Sequence, residues 1–277
     1  MSTGFRTLTC AVLAGLLTLS SAAIAQDMRV YTTVSEIPRG TNNPRVVSHS
    51  LTLFHAGKVY DYMEEAGEVV IFEPIHHRFV VLGKNFVATE IPFTEITHAL
   101  EATLTETTKA LGQIRQQTDE TSIRRAALIQ FQLTPQFTKN LDEKSQRFEM
   151  TADPLSYTVR TAKIESPHFV RQYLDYADWA ARLNFVLRPN ATYPESRLQL
   201  NESLRDAELL PVQVDLQFSQ VQRTEPVRLR AEHQFGWEFQ SVDRRHISHW
   251  ERQLRSNDIR WITFQEYQQQ LVANRSR

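Results

Sequence analysis

The sequence predicts an α+β fold, a large curved antiparallel sheet packed against several helices. Three features lead there. Over residues 47–91, short apolar segments recur with turn residues between them, the rhythm of a strand meander. Further on, apolar residues fall at helical spacing over several segments of helix length. Late in the chain, residues 210–219 and 226–235 alternate apolar and polar side chains, as strands with one solvated face do.

Residues 1–25 read as a cleavable leader. Arg6 supplies a short basic start, residues 11–19 are apolar, and Ala23-Ile24-Ala25 forms a small-residue cleavage pattern. That apolar run is shorter than the about 20 residues a bilayer span requires. The expectation is an exported protein, periplasmic or extracytoplasmic, whose residues 26–277 form one domain without a transmembrane anchor. Cys10, the only cysteine, falls within the leader. A mature chain without cysteine has no disulfide and no thiolate ligand, so its core alone must hold it. The 41% hydrophobic and 23% charged residues are ordinary for such a core. A formal net charge of −1 argues against a general affinity for nucleic acid or anionic lipid.

In the meander, SHSLTLFH places His49, Leu51 and Leu53 on one strand face. Ala56-Gly57-Lys58 turns the chain into KVYDYMEE, with Tyr60 and Tyr62 together, and Ala66-Gly67 turns it into EVVIFEP. Pro74 cannot donate to a ladder and ends that strand, which puts His76 and His77 at a hairpin tip before RFVVLG. Adjacent strand residues point to opposite faces, so this histidine pair is read as a turn and not as a metal site. Lys84-Asn85 then leads into FVATEI. VVIF and FVVL are apolar at every position, which requires cover on both faces of the sheet. The helix after Pro92, with Ile96, Leu100, Leu104, Leu111 and Ile114 in one stripe, is expected to cover one face. The other face is left for more sheet, a partner or a ligand.

A second helix is expected over residues 121–133, stopped by Pro135. Residues 146–164 read as a hairpin turned at Asp153-Pro154. Ser166-Pro167 supplies an N-cap and a first helical residue. The helix that follows aligns Val170, Tyr173, Leu174, Ala177 and Ala181 and ends at Arg188-Pro189-Asn190. Its aromatic residues, Phe169, Tyr173, Tyr176, Trp179 and Phe185, read as core or as pocket lining. In the late hairpin, Val212, Val214, Leu216 and Phe218 face one way, matched by Leu229, Ala231, His233 and Phe235. Two helices close the chain, one over residues 241–254 and one opened by the capping box Thr263 to Glu266.

No glycine-rich phosphate loop, GxSxG elbow or HExxH motif occurs. No catalytic residue and no cofactor is assigned. His246 and His249 stand three apart, share a helix face and are the candidate metal ligands, with His233 a candidate third. The candidate cavity residues are Tyr60, Tyr62, Val70, Phe72, Val80, Leu82 and Trp179.

The succession GKVYDY, EVVIFEP, a tip and RFVVLG, then a helix and the late LPVQVDLQF hairpin, resembles bacterial lipoprotein-carrier (LolA-like) proteins. The resemblance implies a curved antiparallel sheet whose helices enclose a greasy cavity for acyl chains. The helical insertion at residues 93–133 and the helical C-terminus depart from that pattern. The leading expectation is a non-enzymatic exported protein that holds a hydrophobic ligand, a lipid or an acyl chain. An envelope interaction or scaffold module comes second, and a metal-dependent hydrolase using His246 and His249 third.

Overall fold

The computed structural model describes residues 27–38, 43–188, 192–220 and 225–275; the leader and the Pro189-Asn190 helix stop lie outside them. The expected meander is formed by β2 (Arg45–His55), β3 (Lys58–Met63), β4 (Glu68–Glu73), β5 (Arg78–Leu82) and β6 (Val87–Pro92). Each strand pairs antiparallel with the next. Between β4 and β5, Pro74–His76 forms a single 3-10 turn, and His77 takes a left-handed conformation with φ of 50°. The two histidines are therefore the hairpin tip the sequence predicts.

Two helices follow, α1 (Phe93–Ile114) and α2 (Glu120–Leu133), and then three strands, β7 (Thr138–Asp142), β8 (Arg147–Thr151) and β9 (Leu155–Lys163). Next come α3 (Pro167–Leu187), α4 (Glu195–Asp206) and the late hairpin, β10 (Leu209–Phe218) with β11 (Val227–Gly236). The described chain closes with α5 (Ser241–Leu254), the short β12 (Arg260–Trp261) and α6 (Phe264–Arg275). The capping box at Thr263 is present: its backbone N–H donates to Glu266, and the Glu266 N–H donates back to Thr263 Oγ1. Ser166 sits at the N-cap of α3 but makes no side-chain cap bond, so Pro167 alone marks that start.

Three strands were not anticipated: β7, β12 and, with the largest consequence for the sheet, the first strand of the described chain. β1 (Met28–Glu36) pairs with β2 on one side and β11 on the other. It thereby joins the meander to the C-terminal strands in a single sheet, ordered β12-β6-β5-β4-β3-β2-β1-β11-β10-β9-β8-β7. Among the described residues only the β12–β6 pair is parallel. Register shifts at Val34/Ser35 in β1 and at Pro211/Gln213 in β10 bend the sheet locally, as inserted residues do.

The sheet carries a core on each face. On the first, Met28, Val30, Phe54, Val70, Phe72 and Phe79 meet Phe169, Tyr173, Leu174 and Tyr176 of α3. On the second, Leu51, Leu53, Val69, Ile71, Val80 and Leu82 meet Ile247 and Trp250 of α5. This accounts for the uninterrupted apolar runs in β4 and β5: alternate residues enter different cores, and each large side chain buried adds about 1.5–3 kcal/mol. A one-residue slip would exchange the two sets. The cover assigned to α1 needs correction. Its N-terminal turn packs on the sheet through Phe93 and Ile96, but Leu104 is 45% exposed. Beyond that first turn α1 leans on α2 and α3, so half of the predicted stripe faces helix or water. α3 is the principal cover of that face.

Candidate ligand cavity

Sheet and helix do not close completely on the α3 face. A cavity of about 840 Å³ lies between the strand face bearing Val34, Val70, Phe79 and Leu229 and the α3 residues Ala180, Leu183 and Leu187. Tyr267 and Leu271 of α6 wall one side. A second cavity of about 440 Å³ adjoins it and shares the walls Val34, Ser50, Asp61, Tyr176, Ala180 and Asn184. The cause is local to α3. Ala177, Ala180 and Ala181 recur at one-turn spacing, so this stretch offers the sheet only methyl groups. Leu216, Leu229 and Ala231, across the space, remain half-buried for want of a partner surface.

The polar groups of these cavities are arranged. Asp61 of β3 accepts from Thr52 Oγ1 at 2.8 Å and from the Tyr176 hydroxyl at 2.7 Å. Burial raises the Asp61 carboxyl above its ordinary value, against the lowering by Tyr176 and Thr52. It lies deep in the fold yet is reached from both cavities. Tyr176 is itself pushed well up, by burial first and by Asp61 second. His233 of β11 bonds Thr32 Oγ1 through Nδ1 at 2.9 Å, and its buried Nε2 has no partner among the described residues. Burial, then the charge of Arg197, lowers this imidazole to about 3, which keeps it neutral at physiological pH.

The Asp61 shift has a testable sign. A raised folded-state value favours the fold below the unfolded value near 3.8, and that advantage is lost as pH rises through the folded value. Asp61→Asn keeps an acceptor for Thr52, and the Tyr176 hydroxyl can reverse its role. The urea midpoint of Asp61→Asn relative to the native protein is expected to rise between pH 3.5 and pH 7.5. A constant or falling difference would refute the assignment.

Of the residues expected to line one cavity, Val70 alone faces the larger one. Phe72 and Trp179 belong to the closed core of the same face, with Trp179 stacked on Phe93 at 3.7 Å. Tyr60, Tyr62, Val80 and Leu82 point to the opposite face, toward α5, because strand residues alternate. A separate cavity of about 540 Å³ there is lined by Tyr62, Leu82, Lys84, His246 and His249. His246 stacks on Trp250 at 5.4 Å and on Tyr62 at 6.3 Å. His233, packed on Tyr173 of α3, lies on the other side of the sheet and cannot serve as their third ligand. Among the described residues, no three His, Cys, Asp or Glu side chains gather to hold a metal. No helix among them is long and apolar enough to cross a membrane.

The residues that sequence reasoning missed are Asp61, Tyr157, Asn184 and Arg197, all polar. Asp61 and Asn184 lie on a strand and a helix for which only apolar or aromatic cavity candidates were named, and Arg197 lies on a helix that was not expected. The available signal was Asp61 itself, a carboxylate whose strand neighbours Val59 and Met63 share its face. No family model matches this chain, and no curated protein matches it.

Proposed function

We propose that this chain is a non-enzymatic exported carrier, akin to the bacterial lipoprotein carriers, that holds an acyl chain between its sheet and α3. One observation carries the reading: a cavity of about 840 Å³, with Val34, Val70, Leu183, Leu187, Leu229 and Leu271 in its walls, adjoins a smaller one under Ala177, Ala180 and Ala181 of α3. Its size falls in the range of about 300–1,000 Å³ common to small-molecule sites. A fold of this size can fill such a space with side chains, and cores normally do, since each void forfeits contacts. Retaining alanine at positions 177, 180 and 181 is what a ligand site requires and what a packed core does not.

The test is direct. Purified protein is examined by native mass spectrometry and organic extraction, and titrated with a fluorescent fatty-acid probe. Ala180→Phe places a ring in the wall shared by both cavities. Binding is expected to weaken at least tenfold in this variant, with the far-ultraviolet circular dichroism unchanged. No recovered lipid together with no probe binding defeats the proposal, as does undiminished binding by Ala180→Phe.

A further inference from the structure

The two adjoining cavities differ in chemistry, and the difference specifies a ligand. The larger sets aliphatic side chains beside the acidic Glu65 and Glu68, whereas the smaller alone carries Tyr157, Tyr173, Tyr193 and Arg197. Arg197 stands in the first part of α4 and approaches the Tyr173 hydroxyl as a donor. Among the described residues it forms no ion pair with a carboxylate. Arg205, on the same helix, pairs with Asp178 at 2.6 Å and Asp175 at 3.2 Å. Arg197 is thus a half-buried guanidinium at a cavity wall with no carboxylate partner, and so can pair with an anion that enters.

The other charged groups fix the polarity of the site. Asp61 is engaged by Thr52 and Tyr176, and Arg197 is not among the groups that act on its ionisation. His233, close enough to feel Arg197, is neutral and adds no charge. Glu65 and Glu68 line the larger cavity, where Arg188 is the one lysine or arginine among the lining residues. An anion is thus disfavoured there and has one cation to meet in the smaller compartment.

We infer that the smaller compartment is a headgroup subsite, in which Arg197 receives the anionic head of an acyl amphiphile, a carboxylate or a phosphate monoester. Tyr173 and Tyr157 supply hydroxyls beside it, and the chain occupies the larger compartment. This rests on the carrier reading and narrows it from any hydrophobic ligand to an anionic one. Charge-assisted hydrogen bonds to a guanidinium are the strong ones and are geometrically selective, so the preference should be large.

Displacement of a neutral fluorescent probe at pH 8 compares three ligands of equal chain length: palmitic acid, hexadecyl phosphate and hexadecanol. One or both anions are expected to bind at least tenfold tighter than the alcohol, and the tighter anion identifies the head. In Arg197→Gln the anion preference should fall to within about twofold, with alcohol binding unchanged; Arg197→Lys should retain part of it. Equal affinity for all three ligands in the native protein overturns the subsite but leaves the carrier intact. A uniform weakening of all three by Arg197→Gln does the same. Absence of binding by any chain overturns both.

Discussion

Thr33→Pro is expected to cost about 2–4 kcal/mol, against less than about 1 kcal/mol for Thr33→Ala. The estimate combines a lost ladder hydrogen bond with the carbonyl left unsatisfied across from it. Thr33 lies in the middle of β1, opposite His49 of β2 and Glu232 of β11. In a strand paired on both sides every backbone N–H points to one neighbour or the other, and proline supplies none. β1 also has no substitute: it alone connects β2–β6 and β12 with β7–β11 in the hydrogen-bonded order. Urea unfolding of the two variants gives the costs. Hydrogen exchange locates them, with protection lost along β2 and β11 together. If Thr33→Pro unfolds like Thr33→Ala, β1 is not an inner strand and the single-sheet architecture is wrong.

That such a strand escapes a reading of the sequence has a physical cause. In MRVYTTVSE the apolar alternation of Met28, Val30 and Val34 is interrupted by Thr32. Thr32 bonds His233 and lines the smaller cavity, so its polarity serves the site at the expense of the pattern. α4 is hidden for a related reason. Two of its four buried residues are polar, and Asn201 and Arg205 hold it to α3 through Asp178. Hydrophobic periodicity detects apolar faces, not ionic clamps. The meander was legible because turn residues punctuate it and because its strands are apolar for two cores at once. The division of those strands between faces was also within reach. Tyr60, Tyr62, Val80 and Leu82 share one parity in their strands, and register opposes Asp61 to Val70 and Val70 to Val81 on the other face. What no pattern of one segment could give is the void itself. Leu216 and Leu229 look the same in sequence whether they meet a leucine or an empty space, and alanines on a helix far along the chain decide which.

Trp250→Ala should destabilise the protein by about 3–5 kcal/mol, the range for removing a large buried aromatic side chain. The residue is 5% exposed and is the centre of the α5-face core. It stacks on Tyr60 at 6.1 Å and packs on Tyr62 at 5.6 Å. Its neighbour Glu251 adds a polar latch at the same place, accepting from the Tyr60 hydroxyl at 2.7 Å and pairing with Lys58 at 3.1 Å. Lys58 in turn pairs with the buried Glu73 at 2.7 Å. The latch alone cannot hold α5 down, because its charges are partly solvated and each such pair is worth little. The indole is what keeps water from Val69, Ile71, Val80 and Leu82. Loss of the indole should therefore lower the urea midpoint sharply and raise binding of a hydrophobic dye. Arg252→Ala, two residues along α5 and exposed, should change neither by more than about 0.5 kcal/mol equivalent. If the two variants behave alike, α5 does not seal its face, and the uninterrupted apolar strands need another partner. If they separate as expected, α5 is the cover that the alternate residues of β4 and β5 require on that face, apart from the cavity of about 540 Å³ beside Trp250.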